Sequence, residues 1–351
     1  MQTRSTIHAR LGFWPGFLRT ACILGALGLA SPVAGAPAPA PTSADATSLA
    51  SSLDGVLDAS KLKTDEVGVT VVDVASGKVL YAHNPDLGLN PASNAKLVTT
   101  ATALAKLGPE YRYATRFYAD ANAWSGTELR GDLYIRGTGD PSLVTENLYK
   151  IARDLHARGL RRITGSVVVD ASFFDADGLP PGFDQKNEFA SYRAPGGATS
   201  VNFNTHVVFL RPGSAPGQPA VATVEPPVPC VVIDNQVTTA AGRKAPVQAD
   251  SAVRDGKLHI QFSGSIGVDA GTASYRYPIH DPSQYAGEAM VVALRNAGIK
   301  VSGKSVKKGK TPAKHKLLAT HRSPSLGTLI RGVNKHSNNF MAEQVMKSLA
   351  P

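Results

Sequence analysis

Ser93 and Lys96 stand three residues apart at the start of an apolar-periodic segment. On a helix this spacing puts both side chains on one face, with the hydroxyl near the positive helix end. A lysine held neutral by burial can then take the serine proton, the logic of serine-lysine acyl transfer. The same pair fits a capping serine beside a solvated lysine, so alone it leaves both readings open. Ser337 and Asn339 sit at a second helix entrance, after Asn334-Lys335-His336. Ser and Asn in series are ordinary capping chemistry too. The two motifs, in this order and separated by a long strand-rich stretch, say more together than either says alone.

The elements that must carry these residues are legible as periodicities. Leu49, Leu53 and Val56 or Leu57 recur at helical spacing over 48–62, and Val67 to Val74 and Val79 to His83 read as two strands joined by a turn at Ala75-Ser-Gly-Lys. After Ser93, the residues Leu97, Ala101, Leu104 and Leu107 keep one helix face apolar until Gly108-Pro109, and Ala, Val and Thr on the other faces predict a largely buried helix. Short strands then dominate: 133–136, 166–170, 201–210, 228–234 and 257–262, interrupted by one helix over 146–157. Helical spacing returns at 285–297, stopped by Gly298, before strands at 300–306 and 317–321. Helices are expected again over 326–333 and from Ser337 onward.

The first residues have a different character. Arg4, Arg10 and Arg19 precede the apolar run 21–30, and small residues end at Ala34-Gly35-Ala36. This is the layout of an export signal over 1–36, with an uncleaved anchor as the alternative. Residues 37–51, rich in Ala, Pro, Ser and Thr, read as a flexible linker. The protein is therefore expected outside the cytoplasm, periplasmic or extracellular. Loss of the three arginines takes the net charge from +10 to +7, which favours peripheral attraction to anionic wall polymers or lipid head groups. Lys300 to Lys316 is the densest basic stretch and suits a solvated edge; with no interleaved aromatics, nucleic acid is not an expected partner. Cys230 alone remains after export and is read as a buried strand residue, and neither a metal nor a cofactor is indicated.

Several segments together resemble the class C low-molecular-mass penicillin-binding proteins, D-alanyl-D-alanine carboxypeptidases that also act as endopeptidases. They are Asn90-Pro-Ala-Ser-Asn-Ala-Lys-Leu-Val-Thr, Leu107-Gly-Pro-Glu-Tyr-Arg-Tyr, Gly131-Asp-Leu-Tyr-Ile-Arg-Gly-Thr-Gly-Asp-Pro, Gly165-Ser-Val-Val-Val-Asp and Ser337-Asn-Asn-Phe-Met-Ala-Glu. The resemblance implies an α/β (α+β) transpeptidase/β-lactamase-like domain interrupted by a large, mainly β insertion. The expected boundaries are 52–111 for its first part, 112–280 for the insertion and 281–351 for its second part. It further implies Ser93 as nucleophile, Lys96 as general base, Ser337 as proton relay and Asn339 as a substrate-positioning residue. The implied substrate is a peptidoglycan peptide, with β-lactam antibiotics as covalent inhibitors, and Asp184 and Glu188 are candidates for meeting the substrate side chain.

The family's third motif, Lys-Thr-Gly on a strand beside the site, does not follow Ser337 before Pro351. Lys310-Thr311-Pro312 precedes Ser337, and its proline lacks a backbone donor, so it reads as part of a basic turn. The expectation is a chain truncated before that motif, with little or no activity. A non-catalytic remnant or wall-binding module, and a serine β-lactamase, are the competing readings.

Overall fold

The computed structural model describes residues 43–60, 62–181, 183, 190–303 and 306–350. The expected export signal, Asp184 and Glu188 lie outside the described residues. The chain divides into two units, one ending at Ala92 and one running from Ser93 to Pro351.

In the first unit, helix α1 (Ser43–Ala59) begins inside the span expected to be a linker. The alanines at 44, 46 and 50, the strongest helix formers, account for the earlier start. Of the two candidates for its inner face, Leu57 is partly buried and Val56 is exposed. Strands β1 (Val69–Val72) and β2 (Val79–His83) form the expected antiparallel hairpin. Its turn is fixed by Asp73, whose carboxylate accepts the N–H and hydroxyl of Ser76, each at 2.7 Å. Tyr81 on β2 donates to Asp54 on α1 at 2.6 Å, tying hairpin to helix.

The second unit opens with α2 (Ala95–Leu107), β3 (Ala114–Asp120), β4 (Trp124–Ser125), β5 (Glu128–Leu129) and β6 (Leu133–Arg136). Helix α3 (Thr145–Ala157), β7 (Arg162–Ile163) and β8 (Val167–Asp170) follow. A strand-only stretch comes next: β9 (Thr205–Arg211), β10 (Val221–Glu225), β11 (Val231–Asn235), β12 (Thr238–Ala240), β13 (Val247–Arg254), β14 (Lys257–Gly267) and β15 (Ala273–Pro278). Helix α4 (Pro282–Asn296) leads to β16 (Lys300–Val301), β17 (Lys307–Lys308) and β18 (His315–Arg322), and then to α5 (Leu326–His336) and α6 (Asn339–Lys347).

Three layers of core result. The five-stranded sheet, in the order β17-β8-β6-β3-β18, buries Phe117, Leu133, Ile135 and Val167 against α3 and α4. Helix α3 supplies Leu148, Ile151, Ala152 and Leu155 at helical spacing, and α4 supplies Tyr285, Ala289, Ala293 and Leu294. The strand-only stretch builds its own core from Val208, Leu210, Leu258, Ile260, Phe262 and Ile266. On β14 the alternation Leu258, Ile260, Phe262 inward is the period-two pattern of a sheet with one covered face. The third core joins α2, α5 and α6 through Ala103, Leu326, Leu329, Ile330, Val333, Met341 and Val345.

Helix α4 packs in the core of the five-stranded sheet, and β17 and β18 are strands of that sheet together with β3, β6 and β8. Two expectations change. Cys230 lies in the turn before β11, partly buried, with its N–H donating to Glu288 Oε2 at 2.7 Å; burial pushes its thiol pKa up. Helix α2 buries only Thr100 and Ala103, while Leu97 and Ala101 of the expected apolar face are exposed. Thr100 and Ala103 point inward, with Leu104 and Leu107 packed partly buried against the third core beside them.

Candidate active site

Ser93 lies in a 3-10 turn, Ala92–Asn94, that runs straight into α2. Ala92 before it has φ +44°, a left-handed conformation that costs an L-residue about 1–2 kcal/mol. The turn delivers the Ser93 hydroxyl one helical turn ahead of Lys96, whose Nζ donates to Ser93 Oγ at 3.1 Å. Lys96 is half-buried, and this burial holds its amine below the ordinary lysine value, increasing the neutral form that can accept a proton.

The third group of the cluster, a second hydroxyl, comes from the other end of the unit's sequence. Helix α5 ends at Ser337, which adopts φ 51° and ψ 37°, and its N–H is bonded back to Val333 O. The Asn338 side chain then accepts the Met341 N–H at 2.9 Å and caps α6. The left-handed residue between the two helices is therefore Ser337, and its Oγ donates to Ser93 Oγ at 2.8 Å. Ser93, Lys96 and Ser337 are thus brought together, with the Ser93 oxygen accepting from both neighbours.

Asn339 begins α6 beside this cluster, and its amide donates to the Tyr192 carbonyl at 3.4 Å. Tyr192 belongs to a short 3-10 turn, Ser191–Arg193, in the inserted part of the chain. The loop after this turn is held by Gln344, wholly buried on α6, which accepts from Gly197 N–H at 3.0 Å and donates to Gly197 O at 2.8 Å. The Gly-Thr-Gly-Asp stretch supports the same loop from the other side. Gly137 N–H donates to Thr199 Oγ1 and Gly139 N–H to Ala198 O, and a Cβ at Gly137 would stand 2.1 Å from Ala198 O. Asp140 accepts from Ser142 and faces His321 Nε2 at 3.3 Å. These motif residues act by packing, which presents Tyr192 to Asn339.

Sequence reasoning did not find Tyr192 or Gln344. For Gln344 a signal existed: a polar residue in the apolar stripe Phe340, Met341, Val345 of α6. For Tyr192 none did, because its contact is a backbone carbonyl. Lys310-Thr311-Pro312 lies between β17 and β18, with Thr311 N–H donating to buried Asp170 on β8 at 2.8 Å.

The chain is similar to several known proteins. The chain is 33% identical over 313 residues to a D-alanyl-D-alanine carboxypeptidase of an Actinomadura strain, covering 86% of this chain and 57% of that protein. It is 26% identical over 285 residues to D-alanyl-D-alanine carboxypeptidase DacB of Haemophilus influenzae, covering 81% of this chain and 59% of that one. In fold it matches the crystal structure of penicillin binding protein 4 from Haemophilus influenzae with a TM-score of 0.66 at 24% identity, over 81% of this chain and 62% of the other. The chain thus spans rather more than half the length of these relatives. Residues 49–351 match one family throughout, and on that match the chain belongs to the D-Ala-D-Ala carboxypeptidase 3 (S13) family.

Proposed function

We propose that this chain carries the acylating centre of a serine-type D-Ala-D-Ala carboxypeptidase/endopeptidase acting on peptidoglycan peptides. The observation that carries the reading is the convergence of Lys96 Nζ, at 3.1 Å, and Ser337 Oγ, at 2.8 Å, on Ser93 Oγ. Ser93 Oγ attacks the carbonyl carbon of the terminal D-Ala-D-Ala bond while its proton passes to neutral Lys96. The oxyanion is met by the Ser93 N–H at the helix entrance. Ser337 relays a proton to the leaving D-alanine nitrogen, the C–N bond breaks, and an ester on Ser93 remains for water to hydrolyse. Asn339, fixed to Tyr192, orients the substrate backbone.

A β-lactam presents the same carbonyl chemistry and acylates Ser93 covalently; one solved relative, 25% identical, is a complex with a β-lactam. Such a substrate lies in the wall, so the reading goes with export of the chain and with peripheral wall or membrane association. Among the described residues no helix is long and apolar enough to cross a membrane.

A second reading, wall binding without turnover, is favoured by the net charge of +10, which attracts anionic wall polymers. Labelling with a fluorescent penicillin beside a Ser93→Ala control separates the two. A Ser93-dependent adduct upholds the enzyme reading, and a folded protein with no adduct upholds the binder.

A further inference from the structure

Ser337 is exposed, left-handed in φ and placed at the last turn of α5, where backbone carbonyls lack partners and helices fray. Its contact with Ser93 joins two helices distant in sequence, so something must hold the end of α5 against α2. Asn334 Nδ2 donates to Thr100 Oγ1 at 3.3 Å. The Thr100 hydroxyl donates in turn to Leu97 O on its own helix at 3.2 Å, leaving its lone pair directed at Asn334. Among the described residues this is the side-chain hydrogen bond that joins α2 to α5. It stands three residues before Ser337 on one helix and seven after Ser93 on the other, parallel to the Ser337–Ser93 contact and about two helical turns from it along α2. Thr100 is 3% exposed, so the acceptor is fixed inside the helix cluster while Asn334 reaches in from the surface.

We propose that Asn334 and Thr100 are positioning residues: their hydrogen bond sets the register of α5 on α2 and thereby keeps the Ser337 hydroxyl on Ser93. The inference rests on the acyl-transfer reading for its rate consequence, but its geometric consequence stands without it. Misplacing a relay by a fraction of an ångström slows a step that needs aligned atoms.

The test uses Asn334→Ala, Thr100→Val, Thr100→Ser and the Asn334→Ala/Thr100→Val pair in the full chain. For acylation of Ser93 by a chromogenic cephalosporin, read well below the melting temperature, both single removals are expected to lower the maximal rate about tenfold while leaving the non-covalent binding constant unchanged. Thr100→Ser, which keeps the hydroxyl, restores the rate, and the double variant is no slower than the singles because one interaction is lost. A lowered melting temperature with an unchanged rate would mean a merely structural bond and overturn the proposal. A crystal structure of Asn334→Ala gives the answer independently of turnover: Ser337 Oγ is expected to move beyond 3.5 Å from Ser93 Oγ, and its persistence in hydrogen-bonding range sinks the idea. Failure of the unmodified chain to form any adduct would count against the acyl-transfer reading, leaving the crystallographic comparison to decide this one.

Discussion

A serine oxygen that accepts two hydrogen bonds is oriented but not yet a nucleophile; it gains reactivity when one donor loses its proton and becomes an acceptor. Burial shifts Lys96 toward that neutral form, below the ordinary lysine value of 10.5. The sign is fixed: the rate of Ser93 acylation rises as pH increases through the lowered lysine value, and a rate already flat from acid to alkaline pH would refute the role of Lys96. Lys96→Arg keeps the charge but abolishes the neutral base, and is expected to lower the acylation rate by about 10²–10⁴-fold at pH 7. Ser337→Ala removes the relay and leaves the Lys96 contact; single-turnover kinetics should show about a 10²-fold slower acylation with unchanged binding. Helix spacing and helix entrances marked where Ser93, Lys96 and Ser337 stand, while the roles proposed for them came with the family resemblance. Asn334 and Thr100 were not readable, since a tie between helices more than two hundred residues apart leaves no local mark on either.

Elements with a strong periodic signal formed where the sequence placed them: α3, β6 and β14 show their inward stripes, while β8, a continuous apolar run, is buried along its whole length. The errors have physical sources. Helix α2 spreads Ala, Val, Leu and Thr over all its faces, so its sequence specifies only weakly which face turns inward. The five-stranded sheet draws β17 and β18 from beyond α4, and such long-range parallel and antiparallel pairings carry no local code. Two elements support testable statements. Gln344→Ala leaves Gly197 without its partner and is expected to cost about 1–3 kcal/mol of stability, measured by denaturant unfolding, while loosening the loop after the Tyr192 turn. His206 on β9 is 2% exposed, sits near the rings of Tyr277 and Tyr285, and has no hydrogen-bond partner for either ring nitrogen among the described residues. Burial lowers its pKa from 6.5 to about 4, with Arg276 adding to the shift. The unfolded chain takes up a proton below pH 6.5 that the folded chain refuses until about 4, so stability falls through that window by up to about 3 kcal/mol. In His206→Leu this acid limb should vanish from a plot of unfolding free energy against pH.

At the scale of the whole molecule the remaining question is what would bring the proposed centre to a wall polymer. The sequence carries a net charge of +10, +7 without the three arginines of residues 1–36, and anionic polymers attract such a surface over about a Debye length of 8–10 Å at physiological salt. Not every lysine contributes equally, and the ion pairs sort them. Lys307 bonds Asp132 at 3.3 Å and Lys308 bonds Asp281 at 2.6 Å, so the charge at that edge is locally cancelled. Lys310 and Lys314, between β17 and β18, and Lys316, the second residue of β18, are exposed and form no ion pair among the described residues. Their charge is available to a polyanion, and removing it disturbs no packed group. Retention of the chain on an immobilised anionic wall polymer should therefore weaken steeply as salt rises, and the Lys310→Glu/Lys314→Glu/Lys316→Glu variant should elute at markedly lower salt with an unchanged melting temperature. Lys307→Gln/Lys308→Gln, which strands Asp132 and Asp281, should lower the melting temperature while shifting elution less. If both variants shift elution equally, total charge rather than this loop governs the attraction, and the basic segment is only a solvated edge of the sheet.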